Sequence, residues 1–135
     1  MKFLLILLIS QVSSTIITVK GTIRCNLYST FNATIKLLEK DVAFSDVIKT
    51  KEWINKPSNV AHNFSIKGNF TGGDGVLDNE YEPAIQIEST CSDITWVNGE
   101  QLVGNVVREL KSVPITAASA NYTGLSFKLD NKFDI

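Results

Sequence analysis

The chain has 135 residues, of which 44% are hydrophobic and 20% are charged, and its formal net charge is −1. This length suits one domain with its own core and is short for two. The composition argues against intrinsic disorder. A surface this close to neutral gives no electrostatic reason to expect nucleic acid or a bulk anionic membrane as a partner.

The first 14 residues have the pattern of a secretory signal peptide. Lys2 supplies the positive start, Phe3 to Ile9 are uninterruptedly apolar, and Ser10 to Ser14 form a polar stretch with small residues at the cleavage spacing. The apolar run is far shorter than the roughly 20 residues that a transmembrane helix needs, and no later stretch approaches that length. We therefore expect cleavage after Ser14, or up to about residue 18, and a secreted, extracellular domain over 15–135 with no transmembrane segment.

Cys25 and Cys91 are the two cysteines of the chain. In an oxidising compartment such a pair most often forms a structural disulfide, and two cysteines allow one intramolecular pairing. A redox pair or a metal site would need C-x-x-C spacing or nearby histidines, which the sequence lacks. We expect a disulfide that staples two ends of a sheet or sandwich and contributes roughly 4 kcal/mol.

Four Asn-x-Ser/Thr sequons begin at Asn32, Asn63, Asn69 and Asn121. Each predicts an exposed loop or strand edge if it carries an N-linked glycan. Together they favour a secreted glycoprotein.

Most of the mature chain alternates apolar and polar residues with period two, which is typical of strands that bury one face. The strand from Pro83 to Cys91 is the clearest, with Ile85 and Ile87 on its apolar side. Two further strands flank Asn98-Gly99, a strong two-residue hairpin signal. The predicted strands cover residues 17–25, 33–37, 61–67, 83–91, 94–97, 100–103, 106–113 and 125–129.

The pattern is ambiguous between Phe44 and Ile54. Ser45 could cap a short helix, or Val47 to Trp53 could form a short edge strand; the period-two surroundings favour strand or loop. The glycines of 71–75 predict a long turn. About seven to eight short strands predict an all-β sandwich.

Four sets of residues follow in order along the chain: Val19 to Cys25, Phe64 to Gly68, Glu82 to Ile87 with Cys91, and Tyr122 to Leu129 with Lys132-Phe133. As an ordered set they resemble the secreted transthyretin-like family of nematodes over essentially the whole mature chain. The resemblance implies a transthyretin/prealbumin-like β-sandwich, in some members with one short helix. One activity known in outline for the family is that of a secreted bridging protein that recognises phosphatidylserine on dying cells.

The chain also departs from the family pattern. Family members usually have an aromatic residue, a histidine and an aspartate before the mid-chain cysteine, where this chain has Glu88, Ser89 and Thr90. It is therefore interpreted as a divergent member.

His62 is the only histidine, and it cannot build a histidine-rich metal site or a triad without further partners. It is interpreted as a surface or turn residue. Hydroxyisourate hydrolases, which share the related fold, use several histidines, an arginine and a C-terminal motif that the ending Lys132 to Ile135 lacks. The sequence thus predicts no catalytic residue, cofactor or metal site.

Asp74 to Glu82 is rich in carboxylates, which calcium prefers. However, EF-hand spacing fails at Val76, and the Gly-rich calcium repeat fails at Leu77. A solvated acidic loop and a calcium site both stay open here, with the loop favoured.

Trp53 and Trp96 are the two largest aromatic residues, and burial in the core is the usual role of such side chains. Trp96 lies beside the predicted hairpin turn, which also makes it a candidate contact residue for a partner.

These features predict an extracellular, non-catalytic binding protein whose ligand is a lipid, a small hydrophobic molecule or a protein. The alternatives are a secreted hydrolase or inhibitor that uses acidic loop residues, and a structural component of the extracellular matrix. A homodimer through an edge strand is also open.

Overall fold

The computed structural model describes residues 14–27, 29–40, 45–71, 79–91, 96–97, 100–101 and 104–129. Residues 1–13 of the predicted signal peptide lie outside this set, as do 72–75 of the predicted turn. In the described part of the chain there is no helix, and so none that could cross a membrane. The strands are β1 (Ser14–Arg24), β2 (Thr30–Lys40), β3 (Ser45–Pro57), β4 (His62–Thr71), β5 (Glu80–Tyr81), β6 (Pro83–Ser89), β7 (Trp96–Val97), β8 (Glu100–Gln101), β9 (Gly104–Glu109), β10 (Val113–Pro114) and β11 (Ser119–Lys128).

Seven of these strands form two sheets that pack face to face. The first sheet has three strands in the order β11-β1-β4, and the second has four in the order β3-β2-β6-β9. Neighbouring strands are antiparallel except β1 and β11, which are parallel. Side chains from both sheets form one apolar core. The predicted all-β sandwich is therefore confirmed.

β6 lies in the interior of the four-stranded sheet, between β2 and β9. Its alternation places Ile85 and Ile87 in the core, where both are fully buried. Burial of each such side chain contributes about 1.5–3 kcal/mol. Ala84, on the opposite side of the strand, is buried as well. The strand predicted over 83–91 thus exists, and its ladder ends at Ser89.

The disulfide joins the two sheets. Cys25 follows β1 directly, Cys91 lies two residues after β6, and both are fully buried. Their Cα atoms are 6.0 Å apart, within the usual range for a disulfide. The predicted staple is confirmed, and it connects two layers.

Of the ambiguous segment, Phe44 lies outside the described residues, and 45–54 belong to a 13-residue edge strand, β3, so the helix alternative is wrong for Ser45–Pro57. Pairing with β2 satisfies its backbone and decides the conformation. Trp53, opposite the small Ala33, is its one fully inward side chain, 8% exposed, so the core interpretation of this tryptophan is confirmed.

Three predicted strand boundaries are wrong. β4 continues through Gly68-Asn69, because its pairing with β1 runs to Thr71. The strand predicted over 106–113 is divided into β9, which ends at Glu109, and β10, which begins at Val113. After β9, Leu110 N–H donates to Pro83 C=O at 2.9 Å, and Val113 pairs with Tyr81 of β5. The last strand begins at Ser119, because β11 follows β1 for most of its length.

The predicted hairpin is present in short form. Trp96 pairs with Gln101, and Val97 pairs with Glu100. The turn residues Asn98-Gly99 lie outside the described residues, but this register leaves two residues between the strands, as predicted.

Arg108 closes one side of the sandwich, between β9 and β11. Its guanidinium carbon lies 4.2 Å from the centre of the Phe127 ring, and Nη1 donates to Ser126 C=O at 3.2 Å. A cation over an aromatic ring is worth about 0.5–1 kcal/mol at an exposed site. On the opposite side of the sandwich, β3 and β4 border a groove.

Candidate functional site

A groove runs along the side of the sandwich where the edge strands β3 and β4 face each other. Its volume is about 460 Å³, within the range of small-molecule sites. We call it the β3–β4 groove. Its lining residues are Lys49, Thr50, Lys51, Ser65, Ile66, Lys67, Gly68 and Asn69.

Strand geometry brings the lysines of the groove together. Lys49 and Lys51 are two residues apart on β3, so both point to the same side, about 7 Å apart along the strand. They pair with the inward-facing Leu37 and Ile35 of β2, but both are exposed because β3 lies at the edge of its sheet. Lys51 Nζ lies 3.5 Å from Ser65 C=O of β4, so this side chain reaches across the groove.

Gly68 allows β3 and β4 to approach each other. A Cβ atom at Gly68 would lie 2.6 Å from Cγ2 of Ile48, closer than real carbon atoms come. Ile48 therefore packs directly over the backbone of β4. The apolar lining of the groove beside the lysines comes from Ile66 and Gly68.

The charged side chains that line the β3–β4 groove are all lysines. Each ammonium group has three donors, and the hydroxyl groups of Thr50 and Ser65 add neutral hydrogen-bonding groups. Among the described residues, no carboxylate or imidazole belongs to this lining. Its chemistry suits a phosphate, carboxylate or sulfate group.

A second depression, of about 660 Å³, lies over the three-stranded sheet around Gly21. The register between β1 and β11 shifts between Val19 and Gly21, and Gly124 has a positive φ of 72°. A Cβ atom at Gly21 would lie 2.5 Å from Leu125 C=O. The absence of that Cβ lets the strands pack here.

Three of the four sequon asparagines lie on edge strands of the three-stranded sheet. Asn63 and Asn69 are on β4, Asn121 is on β11, and all three are exposed. Asn32 is also exposed but lies on the interior strand β2, so a loop or strand edge is the wrong description for it. Its Oδ1 accepts a hydrogen bond from Asn55 N–H at 2.8 Å.

His62 begins β4 and is half-buried, so it keeps part of its surface in solvent but belongs to a strand and not to a turn. Its Nε2 lies 2.6 Å from Pro57 C=O, and its ring packs 5.8 Å from that of Phe31 and 6.0 Å from that of Trp53. The histidine belongs to an aromatic cluster at the end of the sandwich. Lys56 Nζ lies 5.3 Å from the centre of the Trp53 ring in the same cluster.

Trp96 lies in β7, paired with Gln101, and its role as a partner contact stays a prediction. Of the acidic stretch, residues 74–78 lie outside the described part of the chain, while Glu80 and Glu82 are exposed. Among the described residues, no group of three or more His, Cys, Asp or Glu side chains is arranged to hold a metal ion. Calcium binding by the whole stretch stays untested.

The sequence analysis missed the β3–β4 groove. The alternation Lys49-Thr50-Lys51 would place both lysines on one side of a strand, but that segment was ambiguous between helix and strand. Lys67 is on β4, which belongs to the other sheet. Lys67 lies in the same groove as Lys49 and Lys51 because the two sheets pack against each other, and a local sequence pattern does not predict that packing.

No protein-family model, curated protein or solved structure matches this chain. The transthyretin-like family therefore stays an expectation drawn from the sequence.

Proposed function

We propose that this chain is a secreted, non-catalytic binding protein of the transthyretin-like type, and that its ligand presents an acidic group to the β3–β4 groove. The observation that carries the proposal is the lining of this groove, in which every charged side chain among the described residues is a lysine. The buried disulfide between the sheets supports an extracellular location, because such bonds persist in oxidising compartments.

The groove favours some of the expected ligand classes over others. Three ammonium groups would attract a phosphate or carboxylate and would gain little from a purely hydrophobic molecule. Ile66 also lines the groove, which suits a ligand with both an acidic and an apolar part. An anionic phospholipid headgroup meets both conditions, and it agrees with the phosphatidylserine recognition that is the one activity known in outline for the family that this chain resembles.

Binding to vesicles tests the proposal. The full chain, secreted from a eukaryotic host, is mixed with vesicles of phosphatidylcholine alone or mixed with phosphatidylserine. We expect binding to the mixed vesicles, weakened by added salt because exposed charges are screened. Reversing two charges with Lys49→Glu and Lys51→Glu should weaken binding about tenfold or more, since a lysine near an anionic surface contributes about 1 kcal/mol.

The double variant Lys20→Glu with Lys111→Glu is the matched control, because it changes the net charge equally at exposed positions outside the groove. Equal losses in the two variants, or no binding to either kind of vesicle, would contradict an acidic lipid ligand at this groove. A broad hydrolase screen on the same protein separates the enzymatic alternative, for which we expect no turnover.

A further inference from the structure

The four sequons are distributed unequally over the sandwich. In β1, β4 and β11 alternate residues point outward from the three-stranded sheet, and Asn63, Asn69 and Asn121 all occupy these outward positions. The burial pattern supports this, since Phe64, Ile66 and Phe70, which alternate with the two asparagines of β4, are buried. Three sequons therefore share one face.

The hydroxyl residue of each sequon lies on the same face as its asparagine. Ser65, Thr71 and Thr123 each follow an asparagine by two residues, and all three are exposed. In an extended strand, residues two apart point to the same side. Folding thus leaves the modified side chain and its surroundings in solvent in all three cases.

The strand register fixes how the three asparagines are spread. Asn69 is opposite Ile16 of β1, Asn121 is beside Thr18, and Asn63 is opposite Thr22. Asn63 and Asn69 are thus about 20 Å apart along β4, and β11 lies about 10 Å from β4 across the sheet. Along the strand direction Asn121 lies between Asn63 and Asn69, so the three sites form a triangle over the outward face.

Both edges of this sheet carry a site. β4 and β11 are its edge strands, and exposed edges are where a second chain can add a strand. A glycan is bulky and solubilising, and at these positions it would stand beside each free edge and over the face between them. The four-stranded sheet has Asn32 alone, on an interior strand.

We infer that N-linked glycans at Asn63, Asn69 and Asn121 cover the outward face and both edges of the three-stranded sheet, and so restrict partners and self-association to the four-stranded sheet and to the β3 side of the β3–β4 groove. The inference rests on the secretion that is part of the proposed function. It places the depression around Gly21 beneath glycans, because Asn63 lines it, and it places one glycan at the β4 rim of the β3–β4 groove, because Asn69 lines that groove.

Glycopeptide mapping of the secreted full chain tests the inference. We expect glycans on two or three of Asn63, Asn69 and Asn121; occupancy of one or none would overturn it. A chain that stays in the cell when expressed with its own N-terminal segment would instead contradict the secretion in the proposed function, so the two failures are distinguishable.

Removing the glycans tests their covering role. The triple variant Ser65→Ala, Thr71→Ala, Thr123→Ala keeps the three asparagines but destroys their sequons, and Thr34→Ala does the same for Asn32 alone. By light scattering, we expect the protein component of the triple variant to have a higher molar mass than that of the wild type, because the uncovered molecules self-associate. We expect no such increase for the Thr34→Ala variant. An unchanged triple variant would overturn the covering role, even with all three sites occupied.

Discussion

The two sheets of this sandwich differ in the chemistry that they turn outward. The strands β1, β4 and β11 contain Lys20, Arg24, Lys67 and Lys128 and no acidic residue. The four-stranded sheet mixes both signs and pairs them, with Lys36 Nζ 3.3 Å from Glu88 Oε1 and Lys40 against Glu109.

This difference in charge affects where an acidic ligand can bind. Mixed, paired charge on the four-stranded sheet leaves little net field for an acidic ligand. The basic strands of the other sheet carry three of the four sequons, and Lys67 of β4 lies with Lys49 and Lys51 of β3 in the lining of the β3–β4 groove. The groove therefore lies at the junction between the two sheets.

The largest expected effect comes from breaking the link between the sheets. Replacing both Cys25 and Cys91 by alanine opens a connection between residues 66 apart in sequence. The chain-entropy estimate for a loop of this size is about 4 kcal/mol. We expect a loss of this order in the free energy of unfolding, measured by urea denaturation; an unchanged midpoint would show that core packing alone holds the layers together.

We expect a smaller loss of stability when a methyl group is added at Gly21, where β1 and β11 lie close together. Gly21→Ala places a Cβ 2.5 Å from Leu125 C=O and 2.9 Å from Phe64 Cε1, and such overpacking costs about 1–3 kcal/mol. Gly124→Ala is the matched control, because it meets no atom within 4 Å and is strained only by its φ of +72°. Thermal unfolding should rank the Gly21 variant as less stable; the reverse order would show that backbone conformation outweighs the contact.

The paired charges of the four-stranded sheet should contribute less. Glu88→Gln removes the partner of Lys36, and the side chains are 26% and 36% exposed, so we expect a loss of less than about 1 kcal/mol. Lys67→Gln, on a sheet whose strands have no acid, should leave stability unchanged or slightly higher. Chemical denaturation at low salt compares the two. A larger loss of stability for Lys67→Gln than for Glu88→Gln would contradict the expectation that ion pairs stabilise the four-stranded sheet and not the three-stranded one.

The smallest effect concerns Tyr122 of β11, whose hydroxyl donates to Lys111 C=O. Burial raises the pKa of Tyr122 above its usual 10.0, because desolvation disfavours the phenolate. The neutral form is thus favoured by folding, so this stabilisation is full below the unfolded-state pKa and is lost as the pH rises through the folded-state pKa. Ultraviolet titration of the wild type against Tyr122→Phe should show one tyrosine ionising late; ionisation of that tyrosine at its ordinary pKa would contradict its burial.

Much of the fold is local enough to be predicted from the sequence. Alternation identified β6 and β1, because one buried face imposes period two, and the two cysteines had one possible pairing. The boundaries failed where a distant contact decides them. β4 passes through Gly68 because its pairing with β1 continues to Thr71, and β11 begins early because β1 supplies a partner strand.

The candidate site was less predictable for the same reason. Lys49 and Lys67 are far apart in sequence and belong to different sheets, so their meeting depends on how the layers stack. The sequons were evident as motifs. Their placement on one face required the register that pairs Thr18 with Asn121 and Ile16 with Asn69.

Lysine footprinting of the secreted glycoprotein tests most directly whether the ligand binds at the β3–β4 groove and not on the outward face of the three-stranded sheet. The protein is acetylated with and without phosphatidylserine-containing vesicles, and the modified lysines are quantified by mass spectrometry. We expect vesicles to protect Lys49 and Lys51 of the β3–β4 groove and to leave Lys20 and Lys128 of the three-stranded sheet unchanged. Protection of Lys20 and Lys128 without protection of Lys49 and Lys51 would contradict the account.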